Sequence, residues 1–333
     1  MSVGTPIGTE LDLTAFEDRV GGPHVVAIGG GHGLAATLEA IRTYASDTTA
    51  IVSVGDDGGS SGRLTAGLGI PPPGDIRRCL LALTADRSVW SDLFAYRFPP
   101  SDRATATDSV DIGGHSLGNL IIAALTDLDG DFSAAVSRAG SLLGTMGTVV
   151  PAADRAVELQ AVVSGAVVDG QVNIAKGRGR VESLTVGPEG VVAHPKAVEA
   201  IRSADQIVIA AGSLYTSVIA ALGVPGIASA VNAAKAPITL VLNMVTEDGE
   251  TLGLTGQDHL DALVAVGGLT RAGGIVAHEG PTPVTAPLDV VQIDDGEAER
   301  RGWSVVKADL GVDHAPRALH DPVKLGAVLS ELM

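Results

Sequence analysis

The stretch His24–Tyr44, HVVAIGGGHGLAATLEAIRTY, restricts the fold more than any other. A short β-branched run, His24–Ile28, stops at Gly29. A helical pattern follows at once over Leu34–Tyr44, with Leu34, Leu38 and Ile41 on one face. A strand that feeds a helix through glycine cannot fold back as a hairpin. It needs a crossover to a parallel neighbour. The rhythm recurs. Strands are expected at Ala50–Val54, Gln206–Ala210, Ile238–Leu242, Val290–Ile293 and Trp303–Lys307. Helices are expected near Ile76–Leu83, Leu117–Leu125, Phe132–Leu143 and Pro195–Arg202, then from Leu214 and over Pro322–Leu332. Alternation of this kind predicts an α/β fold, a mainly parallel sheet with helices on both faces.

Two regions depart from it. Residues 1–22 are rich in Gly and Thr without a sustained period and read as a loose tail. Within 23–333, read as one domain, residues 156–193 carry strand-like alternation at Val157, Leu159, Ala161 and Val163. Asp169–Gly170 is a turn signal, and Val172–Ile174 and Val181–Val186 are further strand candidates. A small antiparallel β insertion is expected there.

The formal net charge of −17 repels phosphate backbones and anionic lipid, which argues against nucleic acid and membrane surfaces as partners. It leaves room for a phosphorylated small ligand held locally. No lysine precedes Lys176, and GxxxxGK[ST] is absent. A phosphate bound in the first half must therefore rest on backbone N–H groups, hydroxyls or arginine. The single cysteine, Cys79, excludes an internal disulfide and fits a reducing compartment. No signal-peptide pattern and no run of about 20 apolar residues is visible, so a cytoplasmic protein without membrane insertion is expected.

Six stretches carry candidate chemistry. Gly29–Gly33 gives G-x-G-x-x-A from Gly31 to Ala36, where backbone and a helix N-terminus can approach a phosphate. A tight turn without ligand is the alternative. Asp56 and Asp57 end the second strand, Asp56 lying 20 residues past Ala36, where a dinucleotide fold places its ribose-binding acid. Gly58, Gly59, Ser60, Ser61, Gly62 and Arg63 read as a donor-rich loop, a second anion cradle. The two carboxylates could instead hold Mg²⁺. Gly74–Arg78 opens a helix with Asp75 as cap and Arg77 or Arg78 as phosphate partner. His115 and Asn119, four apart, share a helix face. Gly212–Ser217 sets four hydroxyls at a strand-to-helix junction, and Asn243–Glu247 follows a later strand to the same sheet edge.

The ordered series GGGHGL, AIVSVGDDGGSSGRL, PPPGDIRRCLLAL, GHSLGNLIIAAL, GSLYTSVI and LNMVTEDGE resembles the YvcK-like gluconeogenesis-factor family. It resembles more distantly the 2-phospho-L-lactate transferase (CofD-like) superfamily. The resemblance implies a modified Rossmann-like fold and a cytoplasmic binding protein for UDP-sugars such as UDP-N-acetylglucosamine. It also implies a need for the protein in normal cell shape and in growth on gluconeogenic carbon sources. Carried over by position, the ligand-binding residues are Gly30, Gly31, Gly33, Asp56, Asp57, Gly58, Gly59, Ser60, Ser61, Arg63, Asp75, Asn119, Ser213, Leu214, Tyr215 and Thr216, with Asn243 at the same edge. His32 stands where the family has threonine, and Ala210–Ala211 where it has glycine and proline. No catalytic residue, resident metal or cofactor is expected on this reading, and a homo-oligomer such as a dimer is. The alternative is a Mg²⁺-dependent phosphoryl- or nucleotidyl-type transferase, with Asp57 as the metal-holding residue.

Overall fold

A computed structural model of the protein describes residues 21–100 and 112–333. The loose tail expected over 1–22 lies outside the described residues except for its last two. Among the described residues, ten strands form two sheets. The large one contains β1 (His24–Gly29), β2 (Asp47–Val52), β3 (Thr148–Pro151), β7 (Gln206–Ile209), β8 (Ile238–Val241), β9 (Gly274–His278) and β10 (Ser304–Ala308). Their order is β10-β9-β8-β7-β1-β2-β3, and every pairing is parallel. The chain starts in the middle, runs outward to β3, returns beside β1 as β7, and then runs outward on the other side. That reversal leaves a crevice at the carboxyl ends of β1 and β7, the topological switch point where open α/β sheets bind ligands.

β1 explains why the sheet is buried on both faces. Val25 through Ile28 are fully buried, and successive side chains point to opposite faces. Val25 and Ala27 pack with Leu34, Leu38 and Ile41 of helix Gly31–Ile41, together with helices Pro73–Ala82 and Phe132–Leu143. Val26 and Ile28 pack with Ala197 and Ile201 of helix Pro195–Ser203 and with Val218 and Ile219 beyond β7. A strand sandwiched in this way must be apolar throughout.

The small sheet is antiparallel, β5-β4-β6, from β4 (Glu158–Val163), β5 (Ala166–Asp169) and β6 (Val181–Gly187). Leu159, Ala161 and Val163 are buried and join the core under the large sheet. The hairpin turn is Ser164–Gly165, both at positive φ, as a two-residue hairpin turn of type I′ requires. Asp169–Gly170 instead opens a short helix, Gln171–Lys176, which takes the place of the strand expected at Val172–Ile174. Val290 makes only an isolated bridge to Val245, so no strand forms at Val290–Ile293. The loop expected after Asp57 is a helix from Gly59 to Leu68. Cys79 is fully buried, and burial pushes its thiol up. Among the described residues no single helix is long and apolar enough to cross a membrane.

Candidate functional site

The switch-point crevice is built first by backbone. β1 ends at Gly29, and Gly31, at φ +67, opens the helix to Ile41. A side chain on Gly33 would collide with the Ala211 carbonyl oxygen, so this glycine lets the two junctions of the crevice touch. Asn243, at the end of β8, fixes the far wall. Its Oδ1 accepts from Gly212 N at 2.8 Å, and its Nδ2 donates to Gly212 O at 2.9 Å.

Two carboxylates meet here. Asp75, in the first turn of helix Pro73–Ala82, accepts Gly31 N–H at 2.7 Å, and its other oxygen is ion-paired with Arg78. Asp56 accepts Gly58 N–H at 3.0 Å and a hydrogen bond from the Ser61 hydroxyl. Burial, chiefly, and the charge of Asp75 push the Asp56 carboxyl above its ordinary value. His32 faces the same region. Burial, then the Arg78 guanidinium, lowers its imidazole below the usual histidine range, with Arg317 adding to the effect. Around these groups stand N–H groups of two helix N-termini, at His32 and Gly33 of one and Gly59, Ser60 and Ser61 of the other. None has a hydrogen-bond acceptor among the described residues. Such N–H groups, with the positive end of each helix dipole, are complementary to phosphate oxygens.

Other expected site residues go elsewhere. Asp57 is exposed and turned away, accepting Val172 N–H at 2.9 Å to cap helix Gln171–Lys176. Ser60 and Asn119 face each other in a buried network. The Ser60 hydroxyl lies 3.0 Å from His115 Nδ1 and accepts from Asn119 Nδ2 at 3.1 Å, while Asn119 Oδ1 accepts from Arg77 Nε at 3.0 Å. The Arg77 guanidinium also donates to Phe94 O and has no carboxylate partner within ion-pair distance among the described residues. Burial, helped by Arg78 and Arg97, depresses it to about 10. Arg63 donates to Gly113 O at 2.8 Å, which ties helix Gly59–Leu68 to the segment before Leu117.

The junction after β7 differs most from expectation. Leu214–Ile219 is π-helical and runs into Ala220–Leu222. The carboxylate of buried Glu250 occupies its N-terminus. Tyr215 N–H donates to Glu250 Oε2 at 3.0 Å, Thr216 N–H to the same oxygen at 3.4 Å, and the Thr216 hydroxyl to Oε1. Leu214 is in the core, and Ser213 bonds the Glu247 carboxyl. Burial raises both Glu250 and Glu247. The anion expected at this junction is thus one of the protein's own side chains.

The sequence reading missed polar groups at the ends of β8 and β9. His278 Nδ1 accepts Leu310 N–H at 3.0 Å, and His320 bonds the Leu242 backbone. The Nε2 atoms of both are buried without a partner. Burial lowers His320 to about 4. The cue was the run GGIVAH, a β-branched stretch ending on a polar residue, which reads as β9 once its neighbours are known.

These features define a Rossmann-ordered parallel sheet with an anion-receptive crevice, and the comparisons with known proteins agree with that class. The family profile of 2-phospho-L-lactate transferase CofD matches residues 25–311, and the chain belongs to this family. Among its relatives, the gluconeogenesis factor of Bacillus subtilis is 37% identical over 319 residues, covering 93% of this chain and 98% of that protein. The gluconeogenesis factor of Halalkalibacterium halodurans is 39% identical over 259 residues, 78% of each chain. A crystal structure of a UPF0052 family member from Bacillus halodurans superposes with a TM-score of 0.83 at 34% identity, covering 92% of this chain and 98% of that one.

Proposed function

We propose that this protein is a non-catalytic gluconeogenesis factor that binds a nucleotide-sugar of the UDP-N-acetylglucosamine kind in the switch-point crevice. Its occupancy would couple precursor supply to cell shape and to growth on gluconeogenic carbon. The observation that carries the reading is the meeting of two helix N-termini, with unbonded N–H groups at His32, Gly33, Gly59, Ser60 and Ser61, around two carboxyls that already hold partners of their own. Asp75 is ion-paired with Arg78, and Asp56 accepts from Gly58 N–H and the Ser61 hydroxyl, while burial holds its carboxyl above the ordinary value. A diphosphate can enter such a site without facing two free carboxylates. Asp56 can accept a hydrogen bond from a ribose or sugar hydroxyl.

The family's transferase branch supports a second reading, in which Mg²⁺ assists phosphoryl or nucleotidyl transfer. The residues fit a metal poorly. Both Asp75 oxygens are engaged, Asp57 points away, and no group of three or more Asp, Glu, His or Cys is assembled for a metal among the described residues.

Calorimetric titration with UDP-N-acetylglucosamine, NAD and GTP, each with and without Mg²⁺, separates the readings. Saturable, Mg²⁺-independent binding of UDP-N-acetylglucosamine without turnover is expected. Binding of GTP only with Mg²⁺, followed by product formation, would overturn the binding-protein reading.

A further inference from the structure

A second cavity, of about 580 Å³, lies between the start of β6, the loop Gly249–Leu254 and the helix Gly256–Ala265. None of its lining residues comes from the glycine junction after β1, from Asp56–Arg63 or from Asp75–Arg78. Its volume is within the usual range for small-molecule sites.

Four of its six charged lining groups are already engaged. Glu250 caps the π-helical segment. Asp258 accepts from the backbone N–H and hydroxyl of Thr255 at 2.8 and 2.7 Å. Asp261 is ion-paired with Arg301, and Arg178 pairs with Asp248 at 2.8 Å. Arg180 and Glu182 remain. They flank Val181, the first residue of β6, at a point where the β4–β6 ladder shifts register, and both line the cavity. Neither makes an ion pair among the described residues. Tyr215 supplies a hydroxyl with no hydrogen-bond partner among the described residues, within electrostatic reach of Arg180. Leu252, Leu254 and Val266 give the cavity an apolar side.

From this accounting we infer that the cavity is a binding site for a small zwitterion with an apolar body, an amino acid or dipeptide. Arg180 and the Tyr215 hydroxyl take its carboxylate, Glu182 takes its ammonium group, and the leucine-lined side takes its side chain. A simple anion would leave Glu182 repelling it, and a simple cation would leave Arg180 unpaired. A zwitterion satisfies both.

The test is calorimetric titration of the full chain with L-leucyl-L-leucine, its N-acetyl form and its C-terminal amide. Thermal melts of each variant serve as a folding control. Saturable binding of the dipeptide is expected. Each blocked form, and each of Arg180→Ala and Glu182→Ala, should weaken it about tenfold through loss of one charge-assisted contact. UDP-N-acetylglucosamine binding should be unchanged in both variants. Absence of dipeptide binding at millimolar concentration, or binding indifferent to both substitutions, overturns the inference. Failure of UDP-N-acetylglucosamine to bind wild type would remove the nucleotide-sugar reading and leave this one standing.

Discussion

The junctions after β1 and after β7 start from one sequence pattern, a buried strand running through glycine into a helix, and they end in opposite electrical conditions. After β1, Asp75 takes only Gly31 N–H, and the next two N–H groups stay without an acceptor. After β7, Glu250 takes both Tyr215 and Thr216 N–H and the Thr216 hydroxyl as well. The first junction can receive an external anion, whereas the second has already received an internal one. A glycine-to-helix junction is therefore receptive only to the extent that acids of the chain's own leave its N–H groups without an acceptor.

Gly33→Ala strikes the point where the junctions touch and has the largest expected effect. The added methyl meets backbone rather than a movable side chain. A loss of about 3 kcal/mol is expected in urea unfolding, together with loss of nucleotide-sugar binding.

Glu250→Ala tests the filled junction. Leaving the Tyr215 and Thr216 N–H groups without their acceptor should cost about 2 kcal/mol. Sulfate should then raise the melting temperature of the variant more than that of wild type, because the vacated N-terminus accepts an anion. The pH dependence follows from the raised Glu250 carboxyl. In the window above 4.5, the ordinary glutamate value, the folded state holds more protons than the unfolded chain. Stability contributed by this group is complete below that window and is lost as pH rises through it. Glu250→Gln should flatten that slope in melts taken across the acid range.

Arg78→Ala tests the open junction. With Asp75 left as a bare carboxylate beside the phosphate-receptive N–H groups, calorimetric affinity for UDP-N-acetylglucosamine should fall about tenfold. Asp57→Ala should have the smallest effect. It removes a cap from a short helix, costing about 1 kcal/mol in thermal unfolding, and leaves nucleotide-sugar affinity unchanged.

The same contrast shows what the sequence could reveal. Helix Phe132–Leu143 was legible because its apolar period is uninterrupted and Asp131 and Gly144 bracket it as caps. Helix Gly59–Leu68 was not. Its opening Gly-Ser-Ser-Gly has poor helix propensity, and tertiary contact decides the matter through the buried Ser60 and Ser61. β3 and β9 are only four and five residues long and gain their identity from neighbours on the sheet. In the site, the glycines were readable because each serves its own turn, and Asp75 because it stands in the first turn of its own helix, although its bond to Gly31 N–H spans 44 positions and was not. The Glu250 cap was not, because its partners lie 34 and 35 positions away. The Asp57–Val172 bond spans 115 positions and could not be read from spacing either.

The central place of β1 also has a consequence for biosynthesis. His24 N–H bonds Asp205, 181 positions later, and β7 is the neighbour that covers the open edge of β1. At ribosomal rates the wait between the two is on the order of ten to forty seconds. Throughout that interval an apolar strand destined for the middle of a sheet has one bare edge. The nascent chain must keep that edge from pairing with other chains until the second half of the protein emerges.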